Sequence, residues 1–369
     1  MSQRPCGLCR EIADVWTNLR CFVTVPGTSV AWLESLSPWP TDGFGTERMH
    51  ALLDRLGNPQ RSFEAVHVVG TKGKSTAARR IARTIGGPAY TSPHVSGWHE
   101  RLDTDPDGFA AAVERIRPDA EAVGATQFEA VTAAAFADFA ARGAAAAAIE
   151  AGLGGRHDAT NTIDARVVLL TNVGLEHTDV LGETRDEIAA EKLAVAGPGS
   201  ITILPDREFE HLVLGAVRLG GAEEAVEAFL GERRPLAEAS LPGRLEIRDG
   251  EIRDGAHTPD AVDWLLARLP ALNDYIVVAS ILADKDAGGI LDRLARAGRT
   301  LVATTSTNPR ALSAESIAEL ARPRFTTVYT EQEPTAAVAL AHELGQHVLV
   351  TGSLYLLADL ADHDRKSVR

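Results

Sequence analysis

The sequence predicts an α/β protein with two domains, each built around a mainly parallel sheet. Short apolar segments with the length of buried strands alternate with longer helical segments along both halves of the chain. This alternation is typical of parallel sheets that are covered by helices. The 369 residues suffice for two or three domains of ordinary size. A glycine-rich turn between a predicted strand and a predicted helix indicates that the first half binds phosphate.

The first half can be divided into elements from its apolar spacing. Residues 1–28 show no firm periodicity, and we expect an N-terminal extension there. Helical spacing of apolar residues then begins at Trp32 and recurs from Met49 to Leu56, where Gly57-Asn58-Pro59 ends it. The further elements predicted in this half are strands at 65–69, 144–149 and 167–170, and helices at 75–85, 128–141 and 185–195.

A proline and a glycine at positions 242 and 243 indicate a domain boundary. We therefore expect a phosphate-binding domain over 29–240 and a second α/β domain over 241–369. The elements predicted in the second domain are strands at 275–279, 300–304 and 347–351, and helices at 261–269 and 314–320.

Composition excludes several classes of protein. Apolar residues make up 45% of the chain, and charged residues 24%, as in ordinary globular proteins. The net charge of −14 argues against a protein that binds nucleic acid or anionic membranes in general. No apolar run reaches the roughly 18 residues of a membrane helix, and no secretory signal opens the chain, so we expect a cytoplasmic protein.

The cysteines lie together near the N-terminus. Cys6 and Cys9 have the spacing of half a zinc site, but neither Cys21 nor any later cluster completes one. A reduced cytosolic protein without a structural zinc site is the simpler interpretation.

The glycine-rich turn has the residue types of a phosphate loop. Glycines let the backbone approach phosphate oxygens, and the helix N-terminus directs unpaired N–H groups towards them. Lys74 would reach the outer phosphates, and the Ser75 hydroxyl could serve magnesium or a phosphate oxygen. The alternative is a glycine-rich turn with an incidental lysine, because Val68 stands where a full Walker A motif has glycine. We expect an ATP or GTP site, whose nucleotide contacts are Gly70, Thr71, Lys72, Gly73, Lys74, Ser75 and Thr76.

Two further residues are candidate magnesium ligands. Glu150 follows one predicted strand and His177 follows another. Ligands bind at the carboxyl ends of strands in open α/β sheets, and magnesium prefers oxygen ligands beside a triphosphate. Each residue alone would more often be a surface acid or a structural histidine, but their shared placement favours a site.

An ordered set of short segments spans about residues 29–360. They are 45–49 and 56–60, the phosphate loop, 91–94, 128–132, 150–161, 171–178, 191–192, 242–244, 254–257, 282–286, 308–310 and 350–355. Taken together and in this order, these segments resemble the folylpolyglutamate synthase/dihydrofolate synthase family of the Mur ligase superfamily.

The resemblance implies a Mur-ligase-like fold, with a P-loop ATPase domain followed by a Rossmann-like C-terminal domain. It also implies a reaction. A carboxylate of a folate-type acceptor (dihydropteroate or a folylpolyglutamate) attacks the γ-phosphate of ATP, and L-glutamate then displaces phosphate from the acyl phosphate. ATP and one or two Mg²⁺ ions are the implied cofactors, and the family favours a monomer.

The resemblance also assigns roles by position. Lys74 would hold the phosphates, Ser92, Glu150 and His177 would join Ser75 as magnesium ligands, and Lys192 matches a lysine that is carbamylated in the superfamily. Arg244 and Asp254 would contact the nucleotide. The expected catalytic residues are Lys74, Lys192 and His177.

Phe128 and the loop 91–101 are candidates for the pterin pocket. Arg156, Lys285 and Arg310 could meet substrate carboxylates, although a solvated or structural charge is the simpler interpretation for each.

The match has departures that bear on specificity. Lys72 stands where the family usually has asparagine, Ser75 where it has glycine, and Thr258 where it has asparagine. Arg253 is unexpected in a parallel strand, which is normally apolar. The stretch between Lys192 and Arg244 is shorter than in the family, and His211 is the best counterpart of an asparagine near the adenine.

Three functions therefore remain open. The first is glutamate ligation to a folate-type acceptor, and the second is the same ligase chemistry on a non-folate carboxylic acid. The third is a non-catalytic relative that binds nucleotide.

Overall fold

This computed structural model describes residues 28–40, 43–248, 250–270 and 274–367. They form two compact units, of which the first runs to Ala239 and the second starts at Ser240. The three cysteines, and all of the expected N-terminal extension except Thr28, lie outside the described residues. Within the described residues, no helix combines the length and apolarity needed to cross a membrane.

The first unit is a parallel sheet covered by helices on both faces. Its strands are β1 (Glu64–Val69), β2 (Ala89–Tyr90), β3 (Ala146–Glu150), β4 (Ala165–Leu170), β5 (Ile201–Leu204) and β6 (Ala216–Leu219). Its helices are α1 (Ser29–Ser35), α2 (Glu47–Arg55), α3 (Lys74–Ile85), α4 (Pro106–Val123), α5 (Gln127–Ala141), α6 (Thr178–Leu181), α7 (Arg185–Leu193) and α8 (Ala222–Leu230). The strand order is β2-β3-β1-β4-β5-β6, and each neighbouring pair is parallel.

Local sequence explains the ends of several elements. Helices α5 and α7 each begin with a capping box, in which the side chains of Thr126 and Glu129, or of Thr184 and Glu187, bond each other's backbone amides. The predicted strand at 144–149 is wrong by two residues at its start, because the Ala144 amide still donates to a helical carbonyl of α5. The observed strand also extends one residue beyond the predicted end and includes Glu150 as its last residue.

The second unit is a mixed sheet, also flanked by helices. Its strands are β7 (Glu246–Arg248), β8 (Glu251–Arg253), β9 (Ile276–Ala279), β10 (Thr300–Ala303), β11 (Thr327–Thr330) and β12 (Val348–Thr351). Its helices are α9 (Pro259–Leu266), α10 (Ala287–Leu294), α11 (Ala314–Ala321), α12 (Pro334–Leu344) and α13 (Leu354–Ser367). The order is β11-β10-β9-β12-β8-β7, and the edge strand β7 is antiparallel to β8. Two α/β units with mainly parallel sheets confirm the predicted fold class.

The polar strand β8 is compatible with this sheet because its charges are paired. Arg253 forms a buried ion pair with Glu251, two residues earlier on the same face of the strand, and a second with Asp364 of α13 at 2.9 Å. Glu251 also contacts His342 Nε2 of α12 at 3.1 Å. The expectation that Arg253 is out of place is therefore wrong, because Glu251 of the same strand and Asp364 of α13 supply its partners.

Candidate active site

The phosphate loop connects β1 to α3 at the carboxyl edge of the first sheet. Gly70 has φ +138°, and a Cβ there would collide with the Thr171 hydroxyl. Gly73, at φ +82°, is the residue before the helix. The Lys74 ammonium curls back over the loop and donates to the carbonyls of Gly70 at 2.9 Å and Thr71 at 3.4 Å. The loop is thus a preformed turn beside a helix N-terminus, which is the geometry that binds phosphate.

Asn172, which follows β4, clamps this loop from the side. Its Oδ1 accepts from the Lys72 amide, and its Nδ2 donates to the Lys72 carbonyl, both at 2.9 Å. The Thr171 hydroxyl donates to the same carbonyl at 2.8 Å. Asn172 lies within the family segment 171–178, but the sequence analysis assigns it no role; an asparagine two residues after a buried strand is the signal that could have identified it.

Three of the four predicted magnesium ligands meet behind the loop. The Ser75 hydroxyl donates to Glu150 Oε1 and the Ser92 amide donates to Oε2, each at 2.9 Å. Glu150 is 2% exposed, so its carboxylate is held by these contacts within a nearly dry environment. His177, the fourth, is exposed in the loop after β4 with φ +48°. Glu150 ends β3 and His177 lies after β4, and these are the two strands that flank β1.

This set of oxygens fits magnesium better than a metal that needs a complete protein cage. Among the described residues, no group of three or more histidine, cysteine, aspartate or glutamate side chains is arranged to hold a metal ion. Magnesium is commonly bound by one or two carboxylates together with substrate phosphates and waters. Glu150 and the Ser75 hydroxyl, beside a phosphate loop, match that pattern.

Lys192 reaches the phosphate loop from α7. Its side chain is 2% exposed, and its ammonium donates to the Gly70 carbonyl at 3.2 Å and contacts Glu176 Oε1 at 3.3 Å. Burial, and next the positive charge of Lys74, lower the pKa of Lys192 to about 8. A substantial fraction of this amine is therefore neutral and nucleophilic at slightly alkaline pH.

The glycine-rich segment after β3 packs directly against Lys192. A Cβ on Gly155 would lie 2.5 Å from the Lys192 carbonyl oxygen and 2.7 Å from that of Glu191. Arg156 Nε also pairs with the Glu191 carboxylate at 3.2 Å. Arg156, one of the cations considered for substrate carboxylates, thus has a structural partner.

The candidate pterin residues lie close to this segment. The ring of Phe128 is half-buried, its centroid is 6.3 Å from that of Tyr90, and it leaves no space for a side chain at Gly152. In the loop 91–101, the buried Arg101 donates to His94 Nδ1 at 3.0 Å and lies over the Trp98 ring. Neither candidate is tested by these contacts, and both stay predictions.

The predicted nucleotide residues of the second unit lie at the two ends of the β7–β8 hairpin, with Arg244 before β7 and Asp254 after β8. Asp254 is buried, and its two oxygens accept from the amides of Leu245 at 2.8 Å and Ala256 at 2.9 Å. Burial raises the pKa of Asp254, although these amides oppose the shift. Arg244 is adjacent, and its Nη1 donates to the Gly243 carbonyl at 3.2 Å. Asp254 therefore shapes the turn that carries Arg244, and the nucleotide role of both remains a prediction.

The remaining residues singled out in the sequence make local contacts. Thr258, in place of the family's asparagine, caps α9 through its hydroxyl. Asp284 pairs with both Lys285 at 3.0 Å and Arg310 at 3.6 Å. His211 is exposed and lies 3.6 Å from Asp186.

Comparison with known proteins points to the same family in both halves of the chain. A family model described as Mur ligase, glutamate ligase domain, matches residues 243–354. The chain is 30% identical to the dihydrofolate synthase/folylpolyglutamate synthase of Mycobacterium tuberculosis, over 75% of this chain and 77% of that protein. It is also 30% identical to the folylpolyglutamate synthase of Lacticaseibacillus casei, over 84% of this chain and 92% of that protein.

Solved structures agree with these relatives. The Mycobacterium tuberculosis folylpolyglutamate synthase complexed with ADP superposes with a TM-score of 0.75 at 28% identity, over 86% of this chain and 93% of that one. Escherichia coli FolC in complex with DHPP and ADP has a TM-score of 0.81 at 24% identity, over 93% and 99%, and supports the fold alone. With identity and coverage at these levels, the chain belongs to the folylpolyglutamate synthase/dihydrofolate synthase family of Mur ligases.

Proposed function

We propose that this protein is an ATP-dependent ligase that joins L-glutamate to the carboxylate of a folate-type acceptor through an acyl phosphate. The observation that carries the proposal is the convergence of Ser75, Ser92 and Glu150 beside the phosphate loop, in a chain of this family. Relatives named for folylpolyglutamate and dihydrofolate synthesis support the choice of acceptor and amino acid.

The reaction divides into two displacements. A carboxylate oxygen of the acceptor attacks the γ-phosphorus of ATP, the bond to the β-phosphate oxygen breaks, and ADP leaves. The glutamate amine then attacks the acyl carbon, loses a proton and expels inorganic phosphate, which leaves an amide. Phosphoryl transfer of this kind needs positioning and charge neutralisation more than covalent help from the protein.

The residues of the loop meet those needs. The amides at the start of α3 and the Lys74 ammonium would hold the β- and γ-phosphates, once Lys74 exchanges the Gly70 and Thr71 carbonyls for phosphate oxygens. Lys72, absent from the family pattern, brings a further cation to the same loop. Glu150, Ser75, Ser92 and His177 would hold a magnesium ion, which would supply positive charge beside the phosphates.

We further propose that Lys192 acts as its carbamate. Its lowered pKa supplies a neutral amine that can add to CO₂ with loss of a proton, and a carbamate offers oxygens where an ammonium would repel a metal. The proposal predicts that removing bicarbonate and CO₂ lowers turnover and that restoring them recovers it. Turnover that is indifferent to CO₂ at pH 8 would count against the carbamate.

The deciding experiment is ATP-dependent phosphate release with magnesium and L-glutamate. Dihydropteroate, a monoglutamyl folate and no acceptor are compared, with Lys74→Ala and Glu150→Gln as variants that lack the proposed phosphate and metal contacts. Stimulation by either pterin, lost in both variants, is the expected result. ATP binding without such stimulation would direct the search to a non-folate acid, and ATP binding without turnover on any acid to a non-catalytic role.

A further inference from the structure

A chain of buried hydrogen bonds leads from the centre of β1 to the segment that follows Glu150. His67 is fully buried in β1, and its Nε2 lies 2.8 Å from the Thr160 hydroxyl oxygen. That hydroxyl donates its proton to Asp158 Oδ1, so it can only accept from His67. The imidazole must therefore carry its proton on Nε2.

His67 is suited to this fixed role because it stays neutral. Burial lowers its pKa to about 3, so the ring does not change charge at ordinary pH. Its other nitrogen, Nδ1, has no hydrogen-bond partner within the part of the chain that the structure describes. Leaving the buried Nδ1 without a partner costs free energy. The hydrogen bond that Nε2 makes to Thr160 offsets part of this cost.

At the other end of this series of hydrogen bonds, Asp158 holds the backbone of the segment that follows Glu150. Asp158 Oδ2 accepts from the amides of Gly152 at 3.0 Å and Leu153 at 2.9 Å, and Oδ1 accepts from the Thr160 amide at 3.0 Å. These glycine-rich residues begin two positions after the metal candidate Glu150. They end at Gly155, which packs on the backbone of Lys192.

We propose that His67, Thr160 and Asp158 are positioning residues that fix the segment 151–155, and through it the placement of Glu150 and Lys192. Hydrogen bonds in such a chain polarise one another, so loss of one weakens the rest. The inference rests on the proposed function only for its kinetic readout, since the backbone contacts exist without a ligand.

The protein offers a matched pair of substitutions to test this. Thr160 and Thr202 are both fully buried in the first unit, but the Thr202 hydroxyl has no hydrogen-bond partner among the described residues. Thr160→Val and Thr202→Val therefore make the same chemical change. The first removes a hydroxyl that belongs to the His67–Thr160–Asp158 hydrogen bonds, and the second removes one that does not. Any general cost of replacing a buried hydroxyl by a methyl group is shared by both variants.

We expect Thr160→Val to lower turnover at saturating substrates about tenfold and to raise the magnesium concentration needed for half-maximal rate, as loss of support around metal ligands does. Thr202→Val should leave both quantities unchanged. Amide hydrogen exchange supplies a readout independent of activity: the amides of Gly152 and Leu153 should exchange about tenfold faster in Thr160→Val alone.

A second pair of variants, both at His67, tests the same role if Thr160→Val does not fold. His67→Leu removes the donor, whereas His67→Gln retains an N–H group, so we expect the glutamine variant to recover turnover and exchange protection that the leucine variant loses. Equal kinetics and equal exchange in Thr160→Val and Thr202→Val would overturn the positioning role. A wild-type protein without ligase turnover would instead overturn the proposed function. Amide exchange in Thr160→Val and Thr202→Val would still decide whether His67, Thr160 and Asp158 position the segment 151–155.

Discussion

At the scale of single residues, two lysines share one backbone acceptor at the phosphate loop. Lys192 and Lys74 both donate to the Gly70 carbonyl, at 3.2 Å and 2.9 Å. Burial, and next the positive charge of Lys74, lower the pKa of Lys192 and so disfavour its charged form. A residue that weakens the folded state in this way is expected where function requires it.

Lys192 should make stability depend on pH in a defined window. Its pKa falls from 10.5 to about 8 on folding, so between these values the unfolded chain holds a proton that the folded chain lacks. The free energy of unfolding should therefore rise with pH from 8 to 10.5, by on the order of 3 kcal/mol from this residue. In Lys192→Met this contribution disappears.

Chemical denaturation of both proteins across that window, in bicarbonate-free buffer, measures the difference. Parallel stability curves for wild type and Lys192→Met would contradict the shifted pKa. The same variant should lack ligase turnover, whatever its stability.

Asn172 should affect nucleotide binding more than any other step. Asn172→Ala removes two hydrogen bonds to Lys72 and leaves the loop backbone less restrained. We expect the KM for ATP to rise about tenfold, with a loss of stability of about 1–2 kcal/mol. Steady-state kinetics with each substrate varied in turn would show this, and an equal rise in the KM for glutamate would indicate general damage instead.

At the scale of elements, ion pairs and close backbone contacts fix how strands and helices meet. In the second unit, Arg253 and Glu251 of β8 are joined to α13 through Asp364 and to α12 through His342. In the first unit, the glycine-rich segment after β3 touches the backbone of α7 at Gly155. Each contact ties an element to a neighbour that is distant in sequence.

Removing Arg253 should destabilise the second unit strongly. Arg253→Met leaves Glu251 buried without its main partner, and breaking a buried pair costs about 3–5 kcal/mol. Arg248 pairs with the same Asp364 but is more exposed, so Arg248→Met should cost less than about 1 kcal/mol. Denaturant unfolding of both variants tests the contrast, and similar losses would refute it.

A methyl group at Gly155 should move α7 and thereby Lys192. Its Cβ would meet backbone oxygens, which cannot rotate away as a flexible side chain could. We expect Gly155→Ala to lower turnover by an order of magnitude or more, as small displacements in active sites do. Gly199→Ala, where a Cβ meets nothing within 4 Å, is the control and should remain as active as wild type in the same assay.

The whole molecule consists of two units with separate hydrophobic cores. The phosphate loop, the predicted metal ligands and Lys192 all belong to the first unit, whereas the turn with Arg244 and Asp254 belongs to the second. Ligand that binds the folded state alone stabilises it by mass action.

MgATP should therefore stabilise the protein measurably. At a free concentration one hundred times its Kd, we expect about 2.7 kcal/mol of added stability in wild type, and little in Lys74→Ala, which lacks the cation that holds the phosphates. Calorimetry with and without MgATP tests this. Equal stabilisation of both proteins would mean that nucleotide binds elsewhere.

Sequence patterns alone predict the fold class, the family, the phosphate loop and the strands that lead to it. Apolar runs indicate buried strands and glycine spacing indicates the loop, so both can be predicted from local sequence. Which distant side chains meet becomes visible in the three-dimensional structure. Arg253 reads as an error until Asp364 is beside it, and Thr160 reads as an ordinary motif residue until His67 is 2.8 Å away. Both contacts join segments about 90 or more residues apart, so they depend on how the elements pack and not on any local sequence pattern.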